Sequence, residues 1–435
     1  MVYTNERRNF MQQNVKKFMD EKLLPWGVKI GGEKHLVAIR DGLVTTMPLI
    51  IVGSIFVILS SIPWDGFNQF IATIFGSEWQ SKLDFVVGAT FNIMALLDAF
   101  TIAYSLANSY KVSGVSAGIL SVATFLLVTP TQDGGIQIGY LGSKGLFVAI
   151  IVGLISAEIF RIFVQRNIVI KLPENVPPAV SRSFVALIPS TVCLTLFWII
   201  RLLVETYGNT NIHDLIYTIV GKPISVIGGG FIGGLLAILF TTVFWSVGIH
   251  GWDLVLSVMQ PTWLQFVDEN RIAFQSGEAI PHIINYTFMN TFVWIGGSGV
   301  LLGLAILLFF KSKSKYMKEM GKIGLPPTVF AVNEPLMFGL PVVMNPIILI
   351  PYVIAPIVCY IISYVTMSLG IVAKAVVLVP WSMPPIIGGY LATGGHVSGV
   401  VLQIVNIIIS IIIYYPFFKI IDRKSYIEEN EIKEN

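Results

Sequence analysis

Hydrophobic residues in this chain are gathered into long runs that contain very few charges. A helix that crosses the hydrocarbon core of a membrane needs about 20 mostly apolar residues. In the first half of the chain, five runs reach or approach that length. We predict a spanning helix for each of them: about 42–62, 84–107, 113–130, 144–166 and 180–206.

The second half has a less regular pattern. A weakly apolar stretch that ends near residue 275 is interpreted as one more crossing, and its low hydrophobicity would suit a position beside a water-filled site. A re-entrant hairpin within 224–275 is the alternative, because either arrangement places the lysine-rich stretch at 311–322 on the cytoplasmic side. The other predicted spans of this half are 224–249, 283–310, 346–370 and 397–418.

Two segments of the second half, 324–345 and 372–395, are interrupted by prolines and glycines and are too broken to span. Broken backbone at membrane depth survives only where it lines a cavity or is buried in protein, and such segments point to the binding site of a transporter. The predicted fold class is therefore an all-α integral membrane protein with about ten transmembrane helices plus two re-entrant hairpins.

Positive charges predict how the chain is oriented in the membrane, because lysine and arginine concentrate in cytoplasmic loops. The loop at 161–182 and the lysine-rich stretch at 311–322 are basic, and Lys419, Arg423 and Lys424 follow the last run. We expect both termini to be cytoplasmic. The predicted organisation has four parts: a cytoplasmic amphipathic segment (1–41), a half of five spans (42–222), a half with the broken hairpins (223–420) and a cytoplasmic tail (421–435).

The first 41 residues carry eight Lys or Arg and five Asp or Glu, and their apolar residues from Phe10 to Leu23 fall close to one helical face. We interpret this segment as an amphipathic helix that lies on the cytoplasmic leaflet. A soluble dimerisation helix is the alternative. Further along, the pairs Gly229/Gly233 and Gly230/Gly234 have the small-xxx-small spacing that lets two membrane helices approach closely.

The composition supports a lipid environment. The chain is 54% hydrophobic and 12% charged, with a mean hydropathy of +0.77, whereas soluble domains carry roughly 25% charged residues. A net charge of +3 is too small to indicate nucleic-acid binding. Cys193 and Cys359 both lie inside apolar runs, so we expect two buried thiols and no disulfide.

Glu334 is the leading candidate for function. An acid inside a membrane protein costs about 2.5 kcal/mol or more on insertion scales and marks a functional site by default. Asn333 beside it can donate and accept hydrogen bonds, and Pro335 interrupts the helix. A carboxylate on broken backbone could accept a hydrogen bond from a sugar hydroxyl and help to deprotonate it. The alternative is a structural acid that pairs with a lysine.

His250 is the second candidate, because it ends an apolar run and is followed by Gly251 at a helix break. Its imidazole could bind a hydroxyl or a phosphate oxygen, although it could also be an interfacial histidine. The histidines of the second half have no ligand spacing, so we expect no metal, and no cofactor. His282 precedes Asn290, which could face a polar cavity.

Tryptophans form the third group of candidates. Indole rings stack on the flat faces of sugars, but tryptophan also anchors proteins at membrane interfaces. Trp245, Trp252, Trp294 and Trp381 lie in the same half as Glu334, which favours the sugar. Other charges within apolar segments are assigned to structure or to snorkelling towards the interface: Asp98, Glu158, Arg201 and Lys374.

Three stretches together carry a family resemblance: G-E-K-H-L at 32–36, V-G-I-H-G-W-D at 247–253 and V-N-E-P-L-M-F-G-L-P at 332–341. With them the chain resembles the membrane component, enzyme IIC, of a bacterial sugar phosphotransferase system, in its lactose/cellobiose family. The likeness extends over nearly the whole chain and suggests the chitobiose type, which takes N,N′-diacetylchitobiose.

The resemblance implies a homodimer in the bacterial cytoplasmic membrane, in which the first five spans form the scaffold and the second half moves. A disaccharide would enter from outside and be phosphorylated at a C6 hydroxyl by a phosphocysteine on a separate IIB protein. Glu334 and His250 would lie near the reacting hydroxyl, with Asn333 beside them. An ion-coupled sugar symporter is the rival function, and no Walker motif for an ATP-driven pump is present.

Overall fold

The computed structural model describes Pro25, Lys29 and residues 31–60, 62, 65–173, 176–340, 342 and 346–434. The described chain is mostly helical and divides into two compact units. One unit comprises Glu33–Gly228 and Ser257–Glu278, and the other includes Gly229–Leu256 and the described residues from Ala279 onward. The predicted amphipathic helix around Phe10–Leu23 lies outside the described residues.

The five apolar runs of the first half all fold as helices. Four of them are long and apolar enough to cross a membrane, whereas the helix of the third run, Gly114–Val128, is shorter. The run at 84–107 is interrupted by a 3-10 turn at Phe91–Ile93. A two-residue hairpin ladder, β1 (Thr131–Gln132) with β2 (Gly135–Ile136), follows the third run. The helices up to residue 229 are α1 (Lys34–Ser60), α2 (Asp65–Phe75), α3 (Trp79–Gly88), α4 (Met94–Ser109), α5 (Gly114–Val128), α6 (Leu146–Gln165), α7 (Pro178–Gly208), α8 (Ile212–Ile216) and α9 (Lys222–Gly229).

Charges inside this first unit are held by structural contacts, as predicted. Asp98 on α4 is 1% exposed, and one of its oxygens accepts a hydrogen bond from Oγ1 of Thr46 on α1 (2.6 Å). Arg201 on α7 donates from Nη1 to the carbonyl oxygen of Leu127 (2.7 Å), one of the carbonyls that the end of α5 leaves unpaired. Both side chains therefore join neighbouring helices.

The remaining helices begin with α10 (Phe231–Ser246), on which Gly234 faces the ring of Tyr360 so closely that a Cβ there would lie 2.4 Å from the tyrosine oxygen. The close helix approach predicted for this glycine is therefore confirmed. The later helices are α11 (Gly251–Gln275), α12 (Tyr286–Phe288), α13 (Leu302–Lys311), α14 (Lys315–Val329), α15 (Glu334–Gly339), α16 (Pro346–Ser368), α17 (Ile387–Ala392) and α18 (Val397–Glu434).

The predicted continuous span at 283–310 is wrong. α12 runs into a π-helix at Met289–Val293, residues 294–301 are irregular, and only then does α13 begin. The cause is the sequence G-G-S-G at 296–299, in which Gly296, Gly297 and Gly299 all have positive φ (78°, 85° and 83°). Glycine adopts this conformation without the steric cost that other residues meet.

By length and composition, six described helices could cross a membrane, or up to seven if Ile212–Gly229 and Phe231–Ser246 form one bent span. The predicted number of ten is not confirmed by this count. The last helix, α18, continues past the predicted end of its span at residue 418, so residues 421–434 are helical. Cys193 and Cys359 are free thiols with no exposed surface, as expected.

Candidate functional site

Among the irregular segments of the second unit, three contain strained backbone: 294–301, 330–333 and 369–386. The breaks predicted within 324–345 and 372–395 are thus confirmed. Each segment contains a non-glycine residue with positive φ, namely Val300 (57°), Ala331 (61°) and Ile386 (77°). This conformation is costly for such residues, especially the β-branched ones, and persists only where the surrounding structure imposes it; strain of this kind clusters at functional sites.

Glu334 begins α15 directly after the irregular segment 330–333. Its neighbour Asn333 is 3% exposed and donates from Nδ2 to the carbonyl oxygen of Ser298 (2.8 Å). Glu334 itself is exposed and makes no ion pair with the described residues. Asn333 therefore fixes the backbone, and the carboxylate of Glu334 stays accessible to a ligand.

Gly297 explains how the irregular segments 294–301 and 330–333 come together. A Cβ at this position would lie 2.6 Å from Nδ2 of Asn333 and 2.7 Å from the carbonyl oxygen of Ala331, distances that real Cβ atoms essentially never show. Only glycine leaves room for this approach. The glycines of 296–299 thus serve two purposes, since they break the helix and they admit the backbone that precedes Glu334.

A stripe of buried polar side chains on α18 donates hydrogen bonds to main-chain carbonyls at 291–300, where the helix break leaves carbonyl groups without helical partners. Such groups need internal partners where water is absent. The stripe consists of Gln403, Asn406, Ser410 and Tyr414, which share one helix face and are at most 3% exposed. They donate respectively to the carbonyls of Thr291 (2.8 Å), Phe292 (2.9 Å), Val300 (2.7 Å) and Gly299 (2.8 Å).

The extended part of the third segment is held in the same manner. Asn285 donates from Nδ2 to the carbonyl of Ala375 (3.1 Å), and Thr287 donates from Oγ1 to the carbonyl of Val377 (2.9 Å). Lys374, which was predicted to be structural, donates from Nζ to the carbonyl of Ile280 (2.6 Å). Side-chain bonds to main-chain carbonyls therefore fix this irregular segment too.

A narrow cleft, with a free volume of only about 10 Å³ in this conformation, lies between the first and third irregular segments. Of the predicted site residues, it includes Asn290 and the half-exposed Trp381. Ala331, three residues before Glu334, also reaches it. The complete lining is Asn290, Thr291, Trp294, Ile295, Gly296, Val329, Ala331, Pro380, Trp381, Met383, Pro385, Gly388 and Gln403.

Two aromatic rings link His250 to α15, the helix that carries Glu334. The ring centroid of Trp245 lies 4.5 Å from that of His250 and 6.5 Å from that of Phe338. Phe338 is four residues after Glu334 on α15, so both project from one face of the helix. The predicted acid and imidazole therefore lie on the same side of α15.

The imidazole of His250 is oriented by the start of α11. Its Nδ1 accepts the backbone N–H of Asp253 (3.2 Å), so the neutral ring carries its proton on Nε2 and can donate it to a ligand oxygen. Oδ1 of Asp253 also lies 3.2 Å from Nδ1. With 42% of its side chain exposed, His250 is open to a ligand.

The other predicted residues have different surroundings. Trp245 is only 3% exposed, so in this conformation its contact is with protein rather than with a sugar face. Trp252 makes an edge-to-face contact with Trp294, at 5.5 Å between centroids, and Trp294 lines the cleft. A Cβ on Gly251 would lie 2.2 Å from the carbonyl of Thr241, so close packing explains that glycine.

Sequence reasoning missed Gln403, which lines the cleft from α18. Average hydrophobicity predicts a plain apolar span at 397–418, although the polar residues of that run recur at helical spacing. That spacing was the available signal, because buried polar groups require hydrogen-bond partners.

Cysteine accessibility provides a test of the cleft. At Gly388 a Cβ would meet only ordinary contacts (Cγ of Met383 at 3.5 Å), so Gly388→Cys should fold normally. We expect this thiol to react with a charged aqueous reagent in one conformational state only, and about tenfold more slowly when sugar is present at ten times its Kd. The native thiols are buried and contribute no background.

Ala392→Cys is the matched control. Both positions are buried on the same short helix, but Gly388 lines the cleft, whereas Ala392 has no exposed surface and does not line it. This variant should remain unreactive under the same conditions. Failure of Gly388→Cys to react in every state would contradict an aqueous cleft.

Known proteins resemble the chain over almost its full length. A sequence model of the family described as "Phosphotransferase system, EIIC" matches residues 40–356. The lichenan permease IIC component of Bacillus subtilis is 46% identical, with 96% of each chain covered. The cellobiose-specific EIIC component of the PTS system of Geobacillus stearothermophilus is 45% identical, with 95% of each covered.

A solved structure agrees with these matches. It is the crystal structure of the transporter ChbC, the IIC component from the N,N′-diacetylchitobiose-specific phosphotransferase system. Its TM-score is 0.92 at 43% identity, and the similarity covers 95% of the present chain and 99% of that one.

Proposed function

Because this chain belongs to the phosphotransferase system EIIC family, we propose that it carries a disaccharide of the cellobiose or N,N′-diacetylchitobiose type across the cytoplasmic membrane and presents it for phosphorylation. The observation that carries this proposal is the exposed carboxylate of Glu334 at a helix break, three residues after Ala331, which lines a cleft together with Trp294 and Trp381. Relatives specific for lichenan, cellobiose and N,N′-diacetylchitobiose support a β-linked sugar as the substrate class.

Glu334 is the proposed general base. Its carboxylate would accept the proton of the reacting hydroxyl, for which we propose the C6 position, as that oxygen attacks the phosphoryl group. His250 would donate from Nε2 to the sugar or to the incoming phosphoryl oxygen. The proposed substrate contacts further include Asn333, Gly251, Trp252, Trp381 and Asn290, with Trp245 buttressing the His250 ring.

A separate IIB protein is the proposed phosphoryl donor. Both thiols of this chain are fully buried, Cys193 beside Thr124 and Ser156 and Cys359 beside the carbonyl of Asn406. A thiol in such surroundings cannot meet a soluble phosphoryl carrier. Neither of these thiols would carry the phosphoryl group, which supports the proposal that the phosphocysteine of the reaction is on IIB.

We extend the proposal to the architecture of the assembly. The chain would cross the membrane about ten times, with re-entrant hairpins at 324–345 and 372–395 and with both termini in the cytoplasm. Residues 42–222 would form the scaffold of a homodimer, and residues 223–420 would form the transporting half. Buried side chains bind all three irregular segments to neighbouring parts of the second unit. These bonds support the proposal that the second half moves as one body.

Uptake of labelled disaccharides by vesicles tests this function. With phosphoenolpyruvate, the general carriers and the IIB protein, we expect the accumulated sugar to be phosphorylated and uptake to stop when IIB is omitted. Cellobiose and N,N′-diacetylchitobiose are the primary probes, and a monosaccharide is the control. Accumulation of free sugar driven by an ion gradient would favour the symporter instead.

A further inference from the structure

Gln403 joins the two walls of the cleft. Residues 290–296 form one wall and residues 380–388 the other, whereas Gln403 comes from a third element, α18. Its Nε2 donates to the carbonyl of Thr291 on the first wall (2.8 Å). Its Oε1 accepts the backbone N–H groups of Ile386 (2.6 Å), on the second wall, and of Gly389 (2.7 Å), directly after that wall.

The amide of Gln403 is nearly saturated by these bonds, because three of its four hydrogen-bonding positions are occupied. Its side chain is 3% exposed. A bond network that is buried and satisfied in this way fixes one arrangement of its members rather than several.

The wall that Gln403 holds contains a strained turn. Ile386 has a φ of 77°, a conformation that β-branched residues rarely adopt. At Gly389 a Cβ would lie 2.6 Å from Oε1 of Gln403, so the backbone there approaches the amide as closely as only glycine allows. A strained turn persists only where its surroundings hold it in place, and here the hydrogen bonds to Oε1 of Gln403 do so.

We propose that Gln403 is a positioning residue that sets the separation of the two cleft walls and thereby the affinity for sugar, without taking part in chemistry at the reacting hydroxyl. This rests on the proposed function, since the cleft is the candidate sugar site. The main variant is Gln403→Met, which keeps the length of the side chain and removes the amide. The second is Gln403→Glu, which keeps an oxygen for Ile386 and Gly389.

Two measurements on the full-length protein test the proposal. In detergent, hydrogen exchange of the amides at Ile386 and Gly389 should be at least about fivefold faster in Gln403→Met and close to normal in Gln403→Glu. In vesicles with the phosphoryl carriers, the KM of Gln403→Met for cellobiose should rise about tenfold while the maximal rate changes less than about threefold.

Asn406→Leu is the matched control. Asn406 is fully buried three residues further along the same helix, and its Nδ2 donates to the carbonyl of Phe292 and to Oγ of Ser363 (both 2.9 Å). It does not line the cleft. This variant should unfold at a lower temperature than the wild type and keep its KM.

Unchanged exchange at Ile386 and Gly389 in Gln403→Met would overturn the proposal, whatever the transport assay shows. An equal rise in KM in Asn406→Leu would overturn it as well, because it would reduce the role of Gln403 to general stability. If the wild-type protein fails to yield phosphorylated sugar, the proposed function is contradicted, and the exchange measurement still decides whether Gln403 holds the walls.

Discussion

Replacing Glu334 by Gln is expected to reduce phosphorylating uptake by at least about 100-fold, because a positioned general base contributes roughly 10² to 10⁴-fold. Sugar binding should change by no more than about tenfold, since the amide retains an oxygen that accepts the sugar hydroxyl. Binding is measured with labelled sugar on the purified protein, and uptake is measured in vesicles supplied with the phosphoryl carriers.

Glu319→Gln is the matched control for this variant. Glu319 lies on α14 in the same unit, is 61% exposed in its side chain and pairs with Lys322 on the surface. Exposed pairs of this kind contribute little, so both binding and uptake should match the wild type. Uptake by Glu334→Gln at the wild-type rate would exclude a role for the carboxylate in the chemistry.

Gly297→Ala is expected to have the second largest effect, a loss of roughly 2–5 kcal/mol of stability. The left-handed backbone accounts for about 1–2 kcal/mol, and the forced contacts with Asn333 and Ala331 add about 1–3 kcal/mol. The protein that does fold should also transport poorly, because the displaced Asn333 adjoins Glu334. Thermal unfolding in detergent and uptake per folded protein measure the two effects.

Gly370→Ala separates the backbone cost from the steric cost. Gly370 has a φ of 72°, similar to the 85° of Gly297, but a Cβ there would meet nothing within 4 Å. We expect it to lose only about 1–2 kcal/mol and to transport normally. Equal unfolding temperatures for the two variants would show that the approach of 330–333 to Gly297 does not need a glycine.

The sequence predicted those parts of the fold that depend on local pattern. Length and apolarity alone identify the helices α1 and α4–α7, and the prolines and glycines of 324–345 and 372–395 identify two of the irregular segments. The third, 294–301, was missed because its glycines lie inside a run that is apolar on average. A hydropathy average hides a helix break when the breaking residues are themselves small and uncharged.

The sequence identified individual residues of the candidate site, but it did not predict which of them contact one another. Glu334 and His250 stand out as polar residues at breaks, and the structure adds the aromatic path through Trp245 and Phe338 that relates them. Gln403 could not be paired with Thr291 from the sequence, because 112 positions separate them. Contacts at such separations depend on how the helices pack.

The polar stripe of α18 also determines when the protein can finish folding. Its bond partners at 291–300 leave the ribosome about 110 residues earlier than the stripe does, a delay on the order of ten seconds at typical synthesis rates. Throughout that interval the carbonyls at 291–300 have no α18 side chains to donate hydrogen bonds to them. A chain that ends before Val397 would therefore leave these four carbonyls without the donors that hold them in the complete fold.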